Sequence, residues 1–151
     1  MDYELVSSSV EETVEFGRQI GTKLKGGEVF AVIGPLGSGK TYLIKGIASG
    51  AVAGNNPAVV SSPTFVIVNE YSGRLDIYHI DAYRINSLSE FEMIGFDDFC
   101  YRESVVLIEW ADKVREALRG INYVRIELAH DGLARRIIRI GNLPDYIILS
   151  Q

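Results

Sequence analysis

Cysteine and histidine are scarce in this chain, and that scarcity removes two chemistries at once. A single cysteine, Cys100, allows no internal disulfide. The two histidines, His79 and His130, lie too far apart for the spacing of a zinc site. Long hydrophobic runs are missing as well, since no apolar stretch approaches the ~20 residues of a membrane-spanning helix. Basic residues are outnumbered, 15 Lys and Arg against 20 Asp and Glu, for a formal net charge of -5. A dedicated nucleic-acid binder carries a basic footprint, so any contact with RNA is expected to run through a partner. The opening MDYELVSSSVEE has neither a basic n-region nor an apolar h-region, which predicts no signal peptide and a cytoplasmic location. Repeats, low-complexity tracts and Pro- or Ser-rich linkers are absent, so residues 1–151 are expected to form one domain around one core.

What is present is an alternation of strand and helix signals. Tyr3 to Val6 reads as a short strand, and Ser9 with Glu12 three residues on reads as a capping box. The helix that follows would bury Val10, Val14, Gly17, Ile20 and Leu24 and stop at Gly26-Gly27. Glu28 to Ile33 is a continuous apolar run of strand length, the pattern of a strand covered on both faces. A helix is expected over 40–53, broken by Gly54-Asn55-Asn56-Pro57 before Val59-Val60. Val66 to Tyr71 and Leu75 to Ile80 flank Ser72-Gly73-Arg74 as a hairpin. Ser87 to Ile94 reads as a capped helix ended by Gly95, Val105 to Ile108 as a second buried strand, and Ala111 to Leu118 as a helix. Val124 to Leu128 and Ile137 to Ile140 close the order as two late strands. In RRIIRI, Arg135, Ile137 and Arg139 share one face and Arg136, Ile138 and Ile140 the other, read as a solvated edge strand guarded by charge. Together these elements predict an α/β fold with a mixed, mostly parallel sheet and helices on both faces.

The segment GPLGSGKT, Gly34-Pro35-Leu36-Gly37-Ser38-Gly39-Lys40-Thr41, meets the pattern GxxxxGK[ST] between a buried strand and a helix. Glycines at positions 34, 37 and 39 allow positive φ and close approach, so successive N–H groups and the helix N-terminus can face phosphate oxygens. Lys40 would then meet the β- and γ-phosphates, and the Thr41 hydroxyl would ligate magnesium, with Tyr42 next in line. The expected class is a single-domain P-loop NTPase that takes ATP and Mg2+.

Such a cradle needs a carboxylate at the C-terminal end of a neighbouring strand. Glu109 ends the run VVLI and Asp81 ends LDIYHI, and both are expected near the metal, one directly and one through water. Each could instead be a surface or capping carboxylate. Trp110 follows Glu109 at the same edge, which would bring its indole near the nucleotide. The turn SSPTF, Ser61 to Phe65, carries Thr64 and reads equally as a switch that senses the γ-phosphate or as an ST-turn before the next strand.

With these residues placed, the chain resembles the TsaE family, also called YjeE. The resemblance runs from about Thr13 to Asp112: GGEVFAVIGPLGSGKT, VVSSPTFVIVNEY, IYHIDAYRI, EFEMIG and VVLIEW in order. It implies an ATPase of tRNA threonylcarbamoyladenosine biosynthesis that binds between TsaB and TsaD and hydrolyses ATP to reset their assembly, with tRNA met only through that complex. It also implies nucleotide and magnesium roles for Lys40 and Thr41, a switch and metal region around Thr64 and Asp81, and a metal or water contact for Glu109. His79, Tyr83, Arg84 and Trp110 belong to the same blocks without assigned roles. Ala111 stands where the family often has proline, and Pro35 and Ser38 replace commoner loop residues, but no ligand is removed. A small-molecule kinase of the P-loop class is the alternative, against which no Arg-rich lid insertion is visible, and a GTPase lacks an NKxD-like segment.

Overall fold

The computed structural model describes residues 1–52 and 68–150. The expectations for the 54–57 break, for Val59-Val60 and for SSPTF with Thr64 therefore lie outside the described residues.

Two apolar runs dictate the centre of the sheet. Strand β2, Val29–Ile33, and strand β5, Ser104–Glu109, pair in parallel, and every residue of β5 is buried. A strand without a polar face must be covered on both sides, and it is. On one side lie helix α1, Val10–Thr22, and helix α2, Lys40–Val52. On the other lie short helices α3, Leu88–Met93, and α4, Phe96–Phe99, with a 3-10 segment, Ala111–Leu118. Ile44, Ile47, Phe30 and Leu107 belong to the first core, and Phe91, Phe96, Val106 and Ile108 to the second.

The remaining strands are β1, Tyr3–Ser7; β3, Val68–Ser72; β4, Asp76–Asp81; β6, Val124–His130; and β7, Arg136–Gly141. The seven-stranded order is β1-β7-β6-β2-β5-β4-β3. Strands β6, β2, β5 and β4 run parallel, while β1, β7 and β3 join antiparallel at the margins. The C-terminal ends of four parallel strands thus meet along one edge, where open α/β sheets bind their ligands.

Local chemistry explains the boundaries. Ser9 Oγ accepts from the Glu12 amide at 3.1 Å, and the Glu12 carboxylate returns to the Ser8 amide at 2.6 Å, closing the capping box one residue early. Ser87 caps α3 in the same way through the Glu90 amide. Gly95, at φ 95°, lets the chain leave α3 and enter α4, so it ends one helix and opens the next.

Three expectations need correction. Val10 is 47% exposed because it is the first residue of α1, where the helix has not yet reached its neighbour, and Thr13 takes the buried place. Strand β7 is not an edge, since β1 covers its outer side from Tyr3↔Ile140 to Ser7↔Arg136. Its two faces separate as expected, with Ile138 and Ile140 in the core and Arg139 outside beside Glu4. Finally, Ala111–Leu118 winds as 3-10 turns with a non-helical break at Val114, φ -127° and ψ 29°.

Helices α1 and α2 touch backbone to backbone. A Cβ added at Gly46 would stand 2.2 Å from the Val14 carbonyl oxygen, and one at Gly17 2.4 Å from that of Leu43. Further along, Gly21 and Gly50 approach Ile47 O and Arg18 O just as tightly. The opposing atoms are carbonyls of a rigid helix, so a methyl group has nowhere to go. Gly46→Ala is expected to destabilise the protein by about 2 kcal/mol despite alanine's better helix propensity. Thermal unfolding followed by circular dichroism would report a fall of roughly 4–8 °C; an unchanged or raised Tm would contradict this packing.

Candidate functional site

The loop between β2 and α2 is shaped by glycine. Gly34, Gly37 and Gly39 have φ of 153°, 76° and 101°, and a Cβ at Gly34 would strike Leu128 O at 2.6 Å and Ser38 Oγ at 2.7 Å. The loop is therefore fixed in a conformation that L side chains at these positions would resist. Ser38 is fully buried, and its Oγ has no hydrogen-bond partner among the described residues. Leu36 at the tip is exposed, and Pro35 contributes its carbonyl inward. A cleft of about 150 Å³ is lined by Leu36 to Tyr42 together with Glu109 and Trp110. All the cradle residues singled out in the sequence border it except Gly34 and Pro35, which lie behind Lys40.

Lys40 is only 3% exposed and its Nζ donates to Gly34 O at 2.7 Å and Pro35 O at 2.9 Å. The Trp110 indole covers it, with Nζ 3.8 Å from the ring centroid. Burial pushes the ammonium below the ordinary lysine range, and Glu109, Asp112 and Asp81 offset that only in part. The cation is thus held by two carbonyls and an aromatic face.

Thr41 Oγ1 donates to Glu109 Oε2 at 2.8 Å, joining the first turn of α2 to the last residue of β5. The other carboxylate oxygen, Oε1, lies 3.0 Å from His79 Nε2 on β4. Both partners are deeply buried, His79 at 1% exposure. Burial acts to raise the Glu109 carboxyl, but the hydrogen bond and attraction of His79, the Thr41 hydroxyl and Lys40 together hold it below the usual carboxylate range. An ionised carboxylate can only accept, so His79 Nε2 carries the proton of this bond. Nδ1 has no hydrogen-bond partner among the described residues.

Asp81 stands beside Glu109 in the parallel register of β4 and β5, and its Oδ1 accepts from the Tyr83 amide at 3.0 Å. The carboxylates at Asp81 and Glu109 and the hydroxyl of Thr41 make an all-oxygen set, the donor chemistry of a hard divalent cation. Among the described residues no group of three or more His, Cys, Asp and Glu side chains could hold a metal. A cation here would need further oxygen ligands from phosphate or water, which is how magnesium is usually bound.

Trp110 lines the cleft, as its place after Glu109 implies, but the turn that brings it there and several neighbours carry no local signal in the sequence. Trp110 has φ 61°, a left-handed backbone uncommon outside glycine and asparagine, and this turn carries its indole back over the cradle. Tyr83 lies against that indole at 4.9 Å between centroids, and Lys113 Nζ lies over the Tyr83 ring at 4.8 Å. From the opposite flank, His130 Nε2 sits 3.3 Å from Leu36 O, and an Arg136 amine donates to Gly37 O at 3.3 Å. The family blocks had marked His79 and Tyr83 without roles; His130 and Arg136 carried no local signal, because only the β6–β7 pairing brings them to the loop.

Known proteins share this arrangement of sequence and fold. The family model described as threonylcarbamoyl adenosine biosynthesis protein TsaE matches residues 7–138. A tRNA threonylcarbamoyladenosine biosynthesis protein TsaE from Treponema pallidum (strain Nichols) is 38% identical over 113 residues, 75% of this chain and 82% of its own. The protein of the same name from Aquifex aeolicus (strain VF5) is 37% identical over 111 residues, 73% of this chain and 77% of its own. Among solved structures, the crystal structure of YdiB from Bacillus subtilis aligns with a TM-score of 0.73 at 28% identity, over 93% of this chain and 84% of that one. The family match spans the second core, most of the first, the glycine loop and the Thr41–Glu109–His79 contact, so this chain belongs to the TsaE family.

Proposed function

We propose that this chain binds ATP with Mg2+ and hydrolyses it in the cytoplasm as a subunit of the tRNA threonylcarbamoyladenosine machinery, acting with TsaB and TsaD to reset that complex between turnovers. The observation that carries the reading is the 2.8 Å contact between the Thr41 hydroxyl and Glu109 at the end of a glycine-shaped loop. It joins a phosphate-binding helix start to a strand-end carboxylate, the pairing that nucleotide hydrolysis on this kind of fold requires.

In this reading the loop amides from Gly34 to Gly39 receive phosphate oxygens, and the Ser38 hydroxyl is available to them. Lys40 exchanges the carbonyls of Gly34 and Pro35 for the β- and γ-phosphates. Bound Mg2+ would neutralise developing phosphate charge, with Thr41, Glu109 and Asp81 as the residues that hold it or its waters. Glu109 keeps its charge because its carboxyl lies low, which suits it to ligate or orient rather than to abstract a proton, since a general base works best with a pKa near the operating pH. His79 fixes Oε1, so Oε2 is the oxygen left to face Thr41 and the reacting groups. Trp110 and Tyr42 border the cleft, and Thr64, outside the described residues, is proposed as the group that senses the terminal phosphate.

The deciding measurement is ADP release with ATP binding measured alongside. Lys40→Ala should keep the circular dichroism spectrum of the parent and lose turnover by ~10²-fold or more; parent-like turnover in a folded variant would remove the assignment.

Glu109→Gln and Asp81→Asn should lower kcat by more than they raise KM, because their contacts matter most in the transition state. Glu109→Gln should cost more, roughly tenfold beyond Asp81→Asn, since Glu109 touches Thr41 directly. Parent rates in both would make these carboxylates structural.

Alone, the chain should turn over slowly, and an assembly of TsaB and TsaD should raise the rate by ~10³-fold, as supplied transition-state charge does elsewhere. Comparing rates with and without saturating partners, then with Thr64→Ala, tests this; equal rates would leave a free-standing ATPase.

A further inference from the structure

We propose that His130 and Arg136 are positioning residues for phosphate binding: they hold the shape of the glycine loop from outside when Lys40 leaves that loop for the anion. The role rests on the nucleotide reading of the cradle and adds the residues that preserve its geometry.

Four consecutive loop carbonyls accept from side chains. Lys40 Nζ takes those of Gly34 and Pro35 from within, at 2.7 and 2.9 Å. His130 Nε2 and an Arg136 amine take those of Leu36 and Gly37 from the opposite flank, each at 3.3 Å. The two pairs meet different fates in the nucleotide reading. Lys40 exchanges its carbonyls for the β- and γ-phosphates, so the inner pair is lost as the anion enters. The outer pair has no reason to break. Together with the turn bond from the Ser38 amide to Pro35 O at 3.1 Å, it still ties the loop down. Without it, Gly34, Gly37 and Gly39, all at positive φ, would regain wide backbone freedom, and binding would have to order them again.

The outer pair comes from an arm that is closed on itself. His130 and Arg136 stand opposite each other on the last rung of β6 and β7, a placement that aims both side chains to one side. Beyond them the Asp131 amide donates to Arg135 O at 3.0 Å, and Arg136 donates to the carbonyls of Leu133 and Arg135 as well as to Gly37 O. The His130 ring also packs against the loop, its Cε1 3.9 Å from where a Cβ on Gly37 would stand. Peptide planarity turns these contacts into amide orientation. The Leu36–Gly37 bond is trans, so holding Leu36 O on the hairpin side points the Gly37 N–H away from the hairpin, available to a phosphate oxygen.

The test separates a held loop from a direct ligand contact. Binding of Mg·ATP and of Mg·tripolyphosphate is measured by calorimetry for the parent, Arg136→Ala, His130→Ala, the conservative Arg136→Lys and His130→Gln, and Arg135→Ala, with circular dichroism melts alongside. Arg135 lies on the same turn, paired with Asp131 at 3.4 Å, so its removal takes away the same charge without touching the loop. Arg136→Ala and His130→Ala are each expected to weaken both ligands about fivefold and by the same factor, while the conservative variants recover most of the loss and Arg135→Ala stays within about twofold of the parent. A loss for ATP alone would mean that these side chains meet the nucleoside instead of holding the loop. An equal loss in Arg135→Ala would mean long-range charge, and a loss that neither conservative variant repairs, with a lowered Tm, would mean a general disturbance of the hairpin. Each of these overturns the role, as do parent affinities in both alanine variants. If the parent binds neither ligand, the cradle reading fails first and the role falls with it; parent binding of both, with variants indifferent, rejects the role alone.

Discussion

Everything at the sheet edge depends on one buried carboxylate gripped from two sides. Glu109 accepts from Thr41 on α2 and from His79 on β4, while its own backbone belongs to β5. Removing such a group from water costs several kcal/mol unless its oxygens are satisfied, and here both are. Three elements are therefore locked in register at the point where the glycine loop opens. The geometry of the loop follows from this anchor, because the Thr41 hydroxyl is fixed at the first turn of the helix whose N-terminus the loop feeds.

The second constraint lies one layer below. Glycines on α1 and α2 let the two backbones meet, so the helix that carries Lys40 and Thr41 cannot slide or tilt without moving α1. Strand β7 and the β6–β7 turn hold the other side of the loop through His130 and Arg136. The loop is thus braced from both flanks while its tip, Leu36, stays in solvent.

Much of this was written locally in the sequence. Ser9 with Glu12, and Ser87 with Glu90, marked helix starts by side-chain chemistry that needs no partner element. The buried runs of β2 and β5 and the loop between β2 and α2 were legible for the same reason. The carboxylates could be placed because a strand end after an apolar run can point only to the sheet edge. What failed to show was whatever depends on pairing. Arg136 to Ile140 carries charge like an edge strand, yet Tyr3–Ser7 covers it from the far end of the chain. Val10 fits the helical period but precedes the contact that would bury it. Nothing near His79 in sequence says that it will face Glu109, and nothing near Trp110 predicts its left-handed turn.

The resting place of Lys40 sets a threshold for whatever enters the cradle. Its ammonium is already solvated by two carbonyls and an indole, and that indole packs at a tilt against Tyr83 beneath Lys113. An incoming anion competes with an internal ligand set, and its apparent affinity is its intrinsic affinity scaled by the fraction of molecules whose lysine is released. A lone phosphate offers the cation little more than it has. A polyphosphate that also engages the loop amides offers much more, so under the proposed nucleotide reading the closed cradle would favour an anion by its charge and length.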